Sequence, residues 1–168
     1  MSYKYSLIFL FLFMAVNAGL KAQPNPKSTL PEVAELFNGQ WEGKGKTPEG
    51  EEFNSQLIFN WTLDKNFIEV KNIINTIGKP EQFALTIYGW QPVLGKLAFW
   101  SFDKHGTINE GLAELDGTIL KHEWRSFGQS GEILDWRSTL EKTGVETFIF
   151  TVFDNRNFEL MSVKYFKK

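Results

Sequence analysis

The chain contains no cysteine, and that one absence removes several chemistries. No disulfide can form, so the core must carry the stability unaided. There is no thiolate to act as nucleophile or zinc ligand, and no cysteine to carry a bacterial lipoprotein anchor. Histidine is nearly as scarce, with His105 and His122 the only two. They cannot make a three- or four-ligand nitrogen/sulfur zinc site, and no carboxylate cluster has ligand spacing, so no metal or other cofactor is expected. Basic excess is missing as well. The formal net charge is −2, and removal of Lys4 and Lys21 with a leader would make it more negative still. A mildly acidic domain has no electrostatic footprint for DNA, RNA or anionic lipid, so no nucleic-acid partner is expected. Neither G-x-S-x-G nor a glycine-rich phosphate loop between strand and helix occurs.

No apolar run reaches the roughly 20 residues of a spanning helix. The longest, LIFLFLFMAVNA from Leu7 to Ala18, follows Lys4 and has the form of a secretory h-region. Residues 1–22 are read as a signal peptide, cleaved after Ala18 or Ala22, and a retained N-terminal anchor is the rival reading. The expected location is secreted or periplasmic, with no integral membrane segment after cleavage. Residues 23–30, with Pro24 and Pro26, read as a flexible leader, and 31–168 as one domain. Pro31 to Phe37 has a helical start, with Pro31 at a first helical position and Glu32 in the first turn, and Asn38-Gly39 ends it.

From Trp41 onward apolar and polar residues alternate, with turn signals at short intervals. Strands are expected over 40–47, 52–63, 66–77, 82–91, 96–103, 107–115, 118–127, 132–142, 145–153 and 158–166. Pro48-Glu49-Gly50, Asp64-Lys65-Asn66, Lys104-His105-Gly106, Asp116-Gly117 and Asp154-Asn155-Arg156-Asn157 fall between them. No gap holds a crossover helix, so a parallel sheet is excluded. An antiparallel meander of about ten strands removes its open edges by closing on itself. The predicted fold is therefore all-β: a closed or nearly closed up-and-down barrel with one short N-terminal helix.

Register assigns the faces. With Asp116-Gly117 as the two turn residues, Ala113 faces Leu120 and Gly111 faces His122. Pairing Trp124 with Trp136 puts Leu120, His122, Trp124, Leu134, Trp136 and Leu140 on one side. Lys121, Glu123, Arg125, Asp135, Arg137 and Glu141 then lie on the other, and a one-residue slip would mix them. The last hairpin places Phe148, Phe150, Val152, Met161, Val163 and Tyr165 inside. Glu110 and Glu123 are expected as cross-strand neighbours on the charged outer face, where ion pairs with Lys121 and Arg125 are the ordinary explanation.

Gly39-Gln40-Trp41 after the helix resembles the G-x-W start of lipocalins, avidins and related calycin barrels, in which the tryptophan plugs one end. Trp41-Glu42-Gly43-Lys44-Gly45 narrows the likeness to an uncharacterised bacterial family of lipocalin-like single barrels beginning W-x-G-x-G. Tyr88-Gly89-Trp90, Trp100-Ser101-Phe102-Asp103 and Leu115-Asp116-Gly117 continue its evenly spaced hairpins. The resemblance covers roughly residues 33–168. The nitrobindin-like haem barrels begin with a similar string, but their haem ligand is a histidine near the C-terminus, and this chain has none after His122.

With 16 Phe and 6 Trp, aromatic side chains either fill the barrel or line a cavity in it. Trp41 is expected to be structural, while Trp100, Trp124, Trp136, Phe148 and Phe150 are candidates for a lining. His105 falls in a turn. His122 points inward beside Trp124, opposite Gly111 and near Ala113, either as a core histidine bonded to Asn109, Ser138 or water, or as a ligand-orienting group. The candidate ligand-binding set is His122, Trp124, Trp136, Asn109, Gly111, Ser138, Phe148, Phe150 and Tyr165, for a small, largely apolar molecule. Two other readings stay open. One is an isomerase or cyclase with His122 as general base. The other is a surface-interaction module or homodimer using outward Ile149, Phe153, Phe158 and Leu160.

Overall fold

The computed structural model describes residues 30–47, 50–75 and 79–168. The expected signal peptide, the leader up to residue 29, and Pro48-Glu49 of the first turn lie outside the described residues. Helix α1 (Leu30–Phe37) leads into strands β1 (Gly39–Lys46), β2 (Glu52–Thr62), β3 (Phe67–Asn75), β4 (Pro80–Gln91) and β5 (Lys96–Asp103). They are followed by β6 (Ile108–Asp116), β7 (Ile119–Phe127), β8 (Ile133–Gly144), β9 (Thr147–Phe153) and β10 (Glu159–Lys167). Each strand pairs antiparallel with its sequence neighbours, and β1 pairs with β10 to close the barrel. The expected all-β meander is therefore the observed one, with no open edge.

The closing seam explains the W-x-G-x-G string physically. Trp41 lies opposite Lys167 and Gly43 opposite Tyr165. A Cβ on Gly43 would sit 2.8 Å from the Lys164 carbonyl oxygen and 2.9 Å from Val163 Cγ1, and one on Gly45 would sit 2.6 Å from Phe53 Cζ. Both glycines lie on the inward face, where neighbours already fill the space, so β1 can join β10 only without side chains there.

Helix α1 closes one end. Val33 and Phe37 are fully buried on its inner side, and Gly39, at φ +115°, turns the chain into β1. Trp41 is 0 % exposed, and its Nε1–H donates to the Phe37 carbonyl at 2.7 Å. Its ring meets Phe148 edge-on at 4.9 Å, and Phe37 meets Phe148 in the same way at 5.5 Å. The ammonium of Lys142 lies 4.3 Å from the Trp41 ring centroid, so a cation caps the plug from outside. This is the role expected for Trp41.

At the opposite end the turns are built by aspartate. Asp103 Oδ1 accepts from the N–H of His105 and of Thr107 at 2.8 and 2.9 Å. Asp154 Oδ1 does the same for Arg156 and Phe158, and these bonds hold its carboxyl below the usual range. Such Asx turns satisfy backbone donors that the ladder leaves over.

Three register expectations are corrected. The β6–β7 loop residues are Gly117-Thr118, because Asp116 pairs with Ile119. Only Gly117 takes positive φ there, which suits a turn with glycine first. Each partner moves by two positions, so every side chain keeps its face, but His122 lies opposite Ala113 and Gly111 opposite Trp124. Glu110 faces Arg125 rather than Glu123. Glu123 instead meets Arg137, at 3.6 Å. Trp124 does pair with Trp136.

Candidate functional site

The barrel is hollow in its middle. A cavity of about 290 Å³ lies above the α1 plug. Leu57, Phe59, Val70, Phe99, Leu140 and Phe150 supply much of its apolar wall. The alternation that buries one side of every strand puts these residues inside, and ten strands rather than eight leave room between them.

His122 is the centre of its polar part. It is 4 % exposed, with Nε2 at 3.0 Å from Tyr88 Oη and Nδ1 at 3.2 Å from Ser138 Oγ. Phe99 stands edge-on to the ring at 5.3 Å. Burial holds the imidazole down at about 4, opposed more weakly by the Ser138 backbone. Desolvation penalises the cation, so the ring is neutral at physiological pH, with one nitrogen donating and the other accepting. Burial pushes the Tyr88 phenol above its ordinary range.

A second polar chain crosses the seam. Tyr165 O–H donates to Ser55 Oγ at 2.8 Å, and Ser55 O–H donates to Asn72 Oδ1 at 3.1 Å. Burial pushes Tyr165 up to about 12, partly offset by the bond to Ser55. Two shorter pairs complete the lining: Thr86 O–H donates to Ser101 Oγ at 2.9 Å, and Ser126 O–H donates to Asn109 Oδ1. Among the described residues, no fully buried side-chain nitrogen or oxygen lacks a partner. No group of three or more His, Asp or Glu could hold a metal among them either.

Of the nine residues singled out in the sequence, His122, Trp124, Asn109, Ser138, Phe150 and Tyr165 line this cavity. Trp136, Phe148 and Gly111 do not. Phe148 is inward but belongs to the plug, stacked on Tyr165 at 4.9 Å. A Cβ on Gly111 would meet the Glu123 carbonyl and lie 2.5 Å from Trp124 Cβ, so that glycine serves the approach of β7. Trp100, a further candidate, stands on the outer wall between Ile87 and Glu110, and Leu134 is 48 % exposed at the rim. His122 bonds Ser138 as anticipated, but its other partner is Tyr88, and Asn109 bonds Ser126 instead. Tyr88, Ser55 and Asn72 were missed. Only their inward parity could have signalled them.

The outward residues proposed as an interaction patch are interrupted by charge. Ile149 lies between Glu141 and Lys164, and Phe153 between Arg137 and Glu159. A longer apolar row crosses the outer wall elsewhere, through Leu85, Phe102, Ile108, Phe127 and Ile133 on five adjoining strands.

Fold and cavity together define a closed ten-stranded antiparallel barrel, plugged at one end and hollow in the middle. No family model matches the chain, and no curated protein matches it. Among solved structures it is similar to Rv2717c from M. tuberculosis, with a TM-score of 0.55 at 13 % identity over 87 % of this chain and 99 % of that one. A redesigned β-barrel gives 0.46 at 11 % identity, over 84 % of this chain and 99 % of that one. A de novo fluorescence-activating barrel gives 0.39 at 14 %, over 81 % and 97 %. At such identities the likeness to Rv2717c shows the fold alone, and the calycin-type family suggested by W-x-G-x-G is not established by it.

Proposed function

We propose that this chain is an exported barrel that binds a small, largely apolar molecule in its interior. The observation that carries the reading is the interior cavity of about 290 Å³, open on one side and apolar in most of its wall with a few fixed polar groups. Ligand sites have that composition, and this volume stands near the lower end of their roughly 300–1,000 Å³ range, which suits a compact molecule rather than an extended lipid. Export rests on Lys4 and the apolar run Leu7–Ala18.

Binding is favoured over catalysis by the state of His122. A general base needs a nitrogen free to reach a substrate proton, and both nitrogens here are engaged, one by Tyr88 and one by Ser138. Removing either bond would leave a buried polar group unsatisfied, so the imidazole is better suited to holding the wall in place.

Trp124 reports on occupancy because it lines the cavity and packs against Phe99 at 6.2 Å. Titration with fractionated lipophilic extracts should change its emission saturably, and native mass spectrometry should show a bound mass. If no fraction changes the emission and no adduct appears, the binding reading fails.

A further inference from the structure

We infer that the ligand carries no negative charge and that its polar end is a neutral hydrogen-bond acceptor, such as a ketone, aldehyde or ester, so that carboxylates are excluded. The inference rests on the binding reading above and sharpens it to a chemical class.

Charge is the first part of the argument. Among the described residues lining the cavity none is lysine or arginine, and the one formal charge is Asp103. An anion entering would lose its water with no counter-ion and would meet a carboxylate. His122 cannot serve as the missing cation, since burial keeps its ring neutral.

Hydrogen-bond capacity is the second. Tyr88, His122 and Ser138 form a chain in which both ring nitrogens are engaged and one hydroxyl hydrogen is left over, Thr86 bonds Ser101, and Tyr165 bonds Ser55. Two carboxamides differ. Asn72 has its oxygen taken by Ser55, and Asn109 has its oxygen taken by Ser126. Each keeps an NH₂ group with no protein acceptor among the described residues. Since no fully buried nitrogen lacks a partner, these groups are open to the cavity that both residues line. Hydroxyls in the wall can donate or accept, but an amide NH₂ can only donate. Asp103 brings one carboxylate acceptor to the lining, but the open groups on β3 and β6 are donors, and an acceptor on the ligand completes them.

Equilibrium dialysis at pH 7.5 with 2-acetylnaphthalene, 2-naphthoate and 2-ethylnaphthalene separates the cases on one skeleton. The ketone should bind at least about tenfold more tightly than the carboxylate, and about fivefold more tightly than the hydrocarbon. Asn72→Leu and Asn109→Leu should each lower the ketone-to-hydrocarbon ratio, the second being free of the Ser55 chain should the first fail to fold. Naphthoate binding as well as the ketone, or a ratio unchanged in Asn109→Leu, would overturn the assigned class while leaving binding intact. If none of the three probes and no lipophilic extract binds, the parent reading falls, and this one with it.

Discussion

Acid should destabilise this protein through a single ring. His122 titrates at about 4 when folded against 6.5 when unfolded. The sign follows from where the proton goes. Above 6.5 both states carry a neutral ring and the group contributes no pH dependence. Between 6.5 and 4 the unfolded chain takes up a proton that the folded chain refuses, so stability falls as pH falls; below 4 the loss levels off. The gap is worth about 3 kcal/mol in full, at about 1.4 kcal/mol per pH unit. Going from pH 7.5 to 5 costs about 2 kcal/mol of it, before most carboxylates begin to titrate. Urea unfolding at the two values, for wild type and His122→Leu, isolates the effect. The variant starts less stable, because Tyr88 and Ser138 lose their partner, but it should be nearly flat across the window. A wild-type loss under about 0.5 kcal/mol, or an equal loss in the variant, would refute the account of a neutral, desolvated imidazole.

Three further outcomes follow from the packing and bonding. Trp41→Ala removes a fully buried ring and its bond to Phe37, and should cost about 3–5 kcal/mol in urea unfolding. Gly111→Ala forces a methyl group against the β7 backbone, and should destabilise by about 1–3 kcal/mol with a weakened Trp124 near-UV circular dichroism signal. Tyr88→Phe leaves His122 Nε2 without its hydroxyl; it should cost about 1–3 kcal/mol in chemical denaturation and shift the imidazole resonances seen by NMR.

Legibility in the sequence divides along physical lines. Alternation set the face of each side chain, because the strand period of two survives any even shift of register. That is why His122, Trp124, Phe150 and Tyr165 were found inside although the β6–β7 turn lies one residue later than expected. Parity says nothing about height along the barrel axis. Leu134, Trp136 and Phe148 share the inward parity, yet Leu134 lies at the rim, Trp136 outside the cavity lining and Phe148 in the plug.

Pairings between distant segments were equally out of reach. Tyr88 meets His122 across 34 positions of sequence and Tyr165 meets Ser55 across 110. Both contacts exist only once the sheet curls and β1 meets β10, and neither strand carries a local mark of its partner. The amino-acid order by itself determined an antiparallel meander and an inward histidine, because these follow from local period and turn chemistry, while the tryptophan plug was implied by the resemblance of Gly39-Gln40-Trp41 to the start of calycin barrels. Closure alone decided that the middle stays empty, that the imidazole is spoken for, and that two carboxamides are left donating into the space, because volume and partnership are properties of the assembled wall.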